Sequence, residues 1–271
     1  MAIEMNPVLV SSTNWRHQPI TRTLIALNKP IYISRRIMQH LKLGRSFSRV
    51  EGSFSFPVWA EDTKRCFQRF GYVFVPDIFA RNSYVELISD FPSKRFFNPK
   101  SNPVKSYDFG FHYLAKQGIA FDEIRNIGRF PRLSALYEML LSSQFSESIT
   151  ELCGDSVERS CYSIVCSRAS SGSILVPHKD TVAGSKNTDK ESFINIIFFL
   201  DANGPEGAEL GATGIYRDNQ FAEPLLIPPT LKNSALVYNS SANFFHGFPK
   251  MDRKTSRITV NAQFARKDTT L

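Results

Sequence analysis

The sequence is poor in cysteine, in tryptophan and in long apolar runs. Its four cysteines, Cys66, Cys153, Cys161 and Cys166, include no C-x-x-C pair, so neither a zinc knuckle nor a dithiol redox motif is spelled out. Reduced thiols in a cytoplasmic protein are the expectation, as is the lack of a secretory leader, because the first apolar stretch is short and broken by polar residues. No run approaches the roughly 20 apolar residues that cross a bilayer as a helix. Against two Trp stand 23 Phe, within a hydrophobic fraction of 42%. That supplies one sizeable core, and the aromatic excess suits the half-buried surface of a pleated sheet.

Acidic residues are scarce in one region. Residues 1–50 hold eight Lys or Arg (Arg16, Arg22, Lys29, Arg35, Arg36, Lys42, Arg45 and Arg49) against Glu4 alone, in a chain of net charge +8. The rest of the chain is therefore nearly neutral, and the basic character belongs to an N-terminal arm, drawn here as residues 1–55. Within the arm Ile33, Ile37 and Leu41 recur at helical spacing, with Arg35, Arg36, Gln39 and Lys42 on the other side. Such a helix either packs its apolar stripe on the main domain or lies on an anionic membrane. Packing is the expectation, with peripheral membrane contact as the alternative. Trp15 and Tyr32 are the arm's only Trp and Tyr, so stacking aromatics are not interleaved with its charges and nucleic acid is not expected as a partner.

Beyond the arm no repeat and no low-complexity segment interrupts the pattern. Residues 60–72 read as a helix closed by Gly71. Residues 71–79 then read as a short strand closed by Pro76, and 81–90 as a second helix. The apolar spacing over 131–152 predicts one amphipathic helix stopped at Gly154. Residues 93–120, with Pro99, Pro103, Gly110 and Gly118 among many aromatics, read as a long ordered loop or lid.

After Gly154 the texture changes. Strand-length apolar runs fall at 161–167, 174–177, 193–200, 208–216, 224–227, 234–239 and 257–264, each bounded by Gly, Pro, Asn, Asp or Ser. Seven short strands with no long helical pattern between them imply an antiparallel sandwich or barrel. The expected class is α+β: a double-stranded β-helix (a cupin-like jelly roll) over 156–266, supported by N-terminal helices over 56–155, together one domain of residues 56–271.

Two of the five histidines fall inside the β-rich region. His178 and Asp180 stand at i and i+2 just after a strand-like run, and on extended backbone such residues project from one face. His246 follows 66 residues later, beyond the run 234–239. Two imidazoles and a carboxylate on one side of a cation leave positions open for further ligands, as in the facial triads of non-haem iron. The same set suits a hydrolytic zinc ion, and a jelly roll that binds without catalysis is the third reading. Arg257 opens the last strand, 11 residues past His246, and shares a face with Thr259, Asn261 and Gln263. A guanidinium with a hydroxyl beside it can grip a carboxylate through two hydrogen bonds, which a zinc hydrolase leaves unexplained.

Together these residues resemble the Fe(II)/2-oxoglutarate oxygenase superfamily, nearest in texture to its phytanoyl-CoA hydroxylase and prolyl hydroxylase branches. The matching features are His178-x-Asp180, His246 followed by Gly247, and Arg257-x-Thr259 in the place of that family's Arg-x-Ser. Gly172 resembles the glycine that turns the chain ahead of the first ligand. Gly207-Ala-Glu-Leu resembles a Gly-Gly-x-Leu segment, with Ala208 in place of the second Gly, and Phe70-Gly-Tyr-Val-Phe-Val-Pro-Asp resembles the strand that opens many of these domains. The resemblance covers about residues 64–266 and does not reach the arm.

The resemblance implies Fe(II) held by His178, Asp180 and His246, with 2-oxoglutarate held by Arg257 and Thr259. It also implies O₂-dependent decarboxylation to succinate, coupled to C–H oxidation. Halogenating members replace the carboxylate ligand by a small residue, so Asp180 favours hydroxylation. The branch that demethylates alkylated bases carries a second Arg six residues after the first, where this chain has Gln263. The expected substrate is a small metabolite, with an acidic sugar or glycolipid at a membrane as the alternative. His112 and Tyr113 from the lid, and Asn195 and Asn261 from the barrel, are the expected substrate contacts.

If the arm packs on the domain, deleting residues 1–50 lowers the unfolding temperature and uncovers apolar surface, read by calorimetry and dye binding. If it serves an anionic surface, each cation near the headgroups contributes ~1 kcal/mol. Vesicle binding then weakens as salt rises and vanishes on deletion. A deletion that changes neither defeats both arrangements.

Overall fold

The computed structural model describes Phe54 and residues 59–102, 105–114, 127–158, 161–180, 193–203, 211–240, 243–252 and 255–266. Of residues 98–102, 105–106, 109 and 112–114 it describes the backbone alone. The arm's candidate helix at 33–41 and the Gly207-Ala-Glu-Leu segment lie outside the described residues.

Among the described residues four α-helices precede most of the sheet. Helix α1 (Glu61–Phe70) has Glu61 and Asp62 in its first turn and Arg69 in its last, each complementing the helix dipole, and ends at Gly71 in the left-handed region (φ 76°). Strand β1 (Tyr72–Val75) and helix α2 (Arg81–Ser89) follow. The single helix expected over 131–152 is two: α3 (Pro131–Leu141) and α4 (Ser143–Cys153). Ser142 breaks it with extended backbone, accepting a hydrogen bond from Phe145 N (3.2 Å) and donating one to Met139 O (2.7 Å). One hydroxyl thus serves the end of one helix and the start of the next, a competition with helical bonding that apolar spacing does not register.

The segment read as a loop or lid is largely strand. β2 (Asn98–Asn102) and β3 (Lys105–Leu114) pair antiparallel. The other edge of β3 pairs with both β4 (Ser163–Ser170) and β5 (Ile174–His178). It spans the corner where β4 turns into β5 through residues 170–173, a turn closed by Ser173 N donating to Ser170 O (2.8 Å) with Gly172 at φ 81°. A register shift between Gly110 and Tyr113, with Phe111 at φ 47°, bends β3 as a bulge does. Prolines and glycines at its ends conceal this strand in the sequence.

The remaining strands are β6 (Phe193–Asn203), β7 (Gly214–Tyr216), β8 (Pro224–Leu226), β9 (Ser234–Asn239), β10 (Phe245–Phe248) and β11 (Ser256–Ala265). All pairings are antiparallel, in the order β1-β9-β6-β11-β4-β3-β5-β10-β7-β8. One face of β9-β6-β11-β4 packs on the helices, with Ile164, Cys166, Ile196, Phe198, Val260 and Phe264 meeting Leu133, Leu136, Phe145 and Ile149 in a single core. The alternate residues of the same strands, among them Ser163, Ser167, Asn195, Asn261 and Gln263, line a cavity of about 310 Å³ instead. Period-2 alternation therefore sorts each strand into a helix-facing apolar side and a cavity-facing side with polar groups. All four cysteines are free thiols, three of them buried, and among the described residues no helix is long and apolar enough to cross a membrane.

Phe145 is fully buried, with its ring centroid 5.6 Å from that of Phe264. Phe145→Ala is expected to cost about 3–5 kcal/mol in urea denaturation, whereas Val85→Ala, at a side chain 56% exposed, should stay within about 0.5 kcal/mol.

Candidate metal centre

The site is built where β10 crosses β5. In their register His246 stands directly opposite His178, and the imidazole centroids are 4.2 Å apart. Gly247 permits this approach: a Cβ there would lie 2.5 Å from Leu175 O and 2.9 Å from the Pro177 backbone, where no side chain fits. Asp180 follows the end of β5 and turns one carboxylate oxygen to both rings. Its Oδ1 is 3.6 Å from His178 Nε2 and 3.6 Å from His246 Nε2. One donor atom from each of the three residues lies within 4.8 Å of the others, so the trio could hold a metal ion.

The protonation states suit a cation. His178 Nδ1 lies 2.9 Å from Val176 O. A carbonyl only accepts, so Nδ1 donates in this bond, which fixes the ring with Nε2 turned toward Asp180. Burial lowers the His246 pKa to about 4, against the pull of Asp180, so its imidazole is neutral at neutral pH. Burial would raise the Asp180 carboxyl, but the histidines and the Tyr238 hydroxyl outweigh it and hold it at about 2. A neutral His246 imidazole and an ionised Asp180 carboxylate are in the states a divalent ion requires of its ligands.

The second carboxylate oxygen is held from the large sheet. Asn195 Nδ2 donates to Asp180 Oδ2 at 3.0 Å, and the Tyr238 hydroxyl reaches the same atom at 3.5 Å. Asn195 and Tyr238 are cross-strand partners on β6 and β9. Tyr238 also lays its ring 4.7 Å from that of His246. Burial and the Asp180 charge raise the Tyr238 pKa well above its ordinary value, so the hydroxyl remains a donor.

Arg257 is 6% exposed and lines the same cavity. Its Nη1 donates to Thr213 Oγ1 at 2.8 Å, and its Cζ sits 3.9 Å from the centroid of the Phe248 ring. Its Nε is buried without a partner, and among the described residues no carboxylate pairs with it. Burial lowers its pKa to about 9, which leaves it charged at neutral pH. A buried cation without a counter-ion, and an N–H whose desolvation alone costs about 1–3 kcal/mol, call for an anionic ligand with two acceptor oxygens. Thr259, 1% exposed, is bonded to Ser167 through their hydroxyls at 2.6 Å.

Of the expected substrate residues, Asn195 bonds to Asp180, and Asn261 lines the cavity with its Oδ1 buried and unpartnered. His112 and Tyr113 lie on the backbone of β3, and their side chains are outside the described residues. Arg168 faces away from the cavity, donating to Pro92 O at 3.1 Å with its guanidinium over Phe97. Sequence reasoning missed Thr213, Tyr238 and Phe248. Phe248 was within reach, since it alternates with His246 along β10. Thr213 carries no signal, because only the fold brings residue 213 to residue 257.

No family model and no curated protein matches the sequence. Among solved structures the chain is similar to a prolyl-4-hydroxylase from Pseudomonas putida, with TM-score 0.53 and 11% identity over 76% of this chain and 98% of that one. It is similar to a 2OG-Fe(II) oxygenase family oxidoreductase from Burkholderia pseudomallei, with TM-score 0.51 and 13% identity over 82% and 98% of the two chains. HygX from Streptomyces hygroscopicus, with nickel and 2-oxoglutarate bound, gives TM-score 0.50 and 10% identity over 78% and 88%. At such identities what is shared is the fold, and this chain has the fold of the Fe(II)/2-oxoglutarate oxygenases.

Proposed function

We propose that the protein is an Fe(II)- and 2-oxoglutarate-dependent dioxygenase that hydroxylates an unactivated C–H bond of a small metabolite. The observation that carries this reading is the charged, unpaired Arg257 buried in the same cavity as His178, Asp180 and His246. Three ligands on one side suit a metal that must accept a chelating co-substrate and O₂ together. We also read the strand pairing as a double-stranded β-helix: β4-β11-β6-β9 and β5-β10-β7-β8 make two four-stranded sets between which successive strands alternate, except that β7 and β8 are neighbours in one set. A zinc hydrolase is disfavoured, because Asp180 is the only carboxylate among the described lining residues. None is left to serve as a general base.

Within this reading His178, Asp180 and His246 hold the iron. When bound, it supplies the coupling of 2-oxoglutarate decarboxylation to oxidation of the substrate. Arg257 and Thr213 take the distal carboxylate of the co-substrate, with the Phe248 ring supporting the guanidinium. Asn195 and Tyr238 orient Asp180, keeping Oδ1 on the histidine side. Such fixed outer partners govern how well a ligand set retains its metal. The cavity of about 310 Å³ must seat co-substrate and substrate together, which supports a small substrate or the tip of a larger one.

Replacing His178, Asp180 or His246 by Ala is expected to abolish conversion of 2-oxoglutarate to succinate and to weaken Fe(II) binding, with the circular dichroism spectrum unchanged. Asn195→Leu should reduce metal affinity or turnover about 10–100-fold. Near-normal succinate formation in all three ligand variants would sink the assignment. Arg257→Ala removes one partner of a buried charge pair, at about 2–5 kcal/mol. It should therefore raise the 2-oxoglutarate requirement from tens to about several thousandfold while the iron requirement stays put. An unchanged 2-oxoglutarate affinity in that variant would mean that another cation holds the carboxylate.

A further inference from the structure

The cavity has two ends, and Arg257 occupies one of them. Along β6, Arg257 pairs with Ala202, whereas Gln263 pairs with Asn195, the residue bonded to Asp180. Asn261 and Gln263 therefore stand toward the Asp180 end of β11, four and six residues from Arg257, or roughly 13–20 Å of extended backbone. A five-carbon dicarboxylate seated on Arg257 leaves that end of the cavity open.

Its lining carries no formal charge: Ser163, Asn261 and Gln263 supply polar groups among apolar Val165 and Ile197. Asn261 Oδ1 is buried with no partner, an orphan that native interiors seldom leave unmatched. An amide oxygen only accepts, so it needs a donor, and a hydroxyl supplies one while its own oxygen can accept from the amide nitrogen. Gln263 lines the same end and likewise has no side-chain hydrogen bond among the described residues. The only formal charges among the described lining residues are Asp180 and Arg257, both committed to the metal and the co-substrate. A charged substrate group entering here would lose its hydration and meet no counter-ion.

We infer that the substrate presents an uncharged, hydroxyl-bearing group to Asn261 and Gln263, at the end of the cavity remote from Arg257. This rests on the reading of Arg257 as the co-substrate anchor and of the triad as the metal site. It excludes an acidic group from the inner part of the cavity, so a substrate with a carboxylate must keep that carboxylate outside.

The test uses the full chain loaded with Co(II). In a first arm, 2-oxoglutarate should perturb the cobalt absorption spectrum and fail to do so in Arg257→Ala; no perturbation in the parent chain defeats the co-substrate reading itself. In a second arm, with 2-oxoglutarate bound, three probes sharing one ring are titrated by ligand-observed NMR: neutral methyl glucoside, anionic glucuronate and cationic glucosamine. Methyl glucoside should bind at least about tenfold more tightly than either charged probe. Asn261→Leu should weaken it about five- to tenfold with the cobalt response to 2-oxoglutarate unchanged. Asn261→Asp, which adds a carboxylate at the same place, should turn the preference toward glucosamine. A charged probe binding as tightly as the neutral one, no detectable binding of methyl glucoside, or Asn261 variants with unaltered probe preference would each overturn the inference.

Discussion

At Gly247 the backbone of β10 lies so close to β5 that a side chain would strike the Leu175 carbonyl at 2.5 Å. That approach brings two histidines, 68 residues apart in the chain, into direct cross-strand register with their ring centroids 4.2 Å apart. Like donors are not held together for stability, since neither ring gains a proton or a hydrogen bond from the other. The close pairing is instead offset by the apolar groups beyond it, where Phe248 and Met251 meet Ala169 in a small core of their own. The carboxylate of Asp180 is held in the cluster by Asn195 on β6, which donates to its outer oxygen.

Charge arranges the rest of the cavity. The guanidinium of Arg257 is carried inside by β11, laid on the Phe248 ring and given one hydroxyl partner, with no acid to neutralise it. Without a ligand this is a costly arrangement, because a desolvated cation is compensated only in part by an aromatic face. Asp180 at one place and Arg257 at another, with neutral amides beyond, divide one small space into zones of different chemistry. The proposed reaction uses that division: metal, co-substrate and substrate each meet the groups suited to them.

The sheet makes the zoning possible. On β4, β6 and β11 the residues that alternate onto the helix side, among them Ile164, Cys166, Ile196, Phe198, Val260 and Phe264, join the larger apolar core. The opposite face is thereby free to spend its positions on Ser163, Asn195, Asn261 and Gln263, which contribute little to the core. The helices α3 and α4 are thus as much a condition of the site as the strands, since they supply the burial that the cavity side gives up.

The sequence by itself determined a good part of this. Alternation along 257–264 marked one polar face on the last strand, the spacing of His178 and Asp180 marked a shared direction, and Gly71 and Gly154 marked where helices end, because each depends on neighbours within a few residues. Ser142 was misjudged, since a hydroxyl that caps one helix while closing another leaves the apolar spacing intact. β3 was misjudged for a related reason: its pairing residues lie 49–70 positions away on β4 and β5, and its local composition is that of a loop. Only the tertiary structure decided that His246 opposes His178, that Thr213 meets Arg257, and that Asn195 serves Asp180. Those contacts are made between strands, and a strand's side-chain alternation fixes which face a residue occupies without fixing what it finds there.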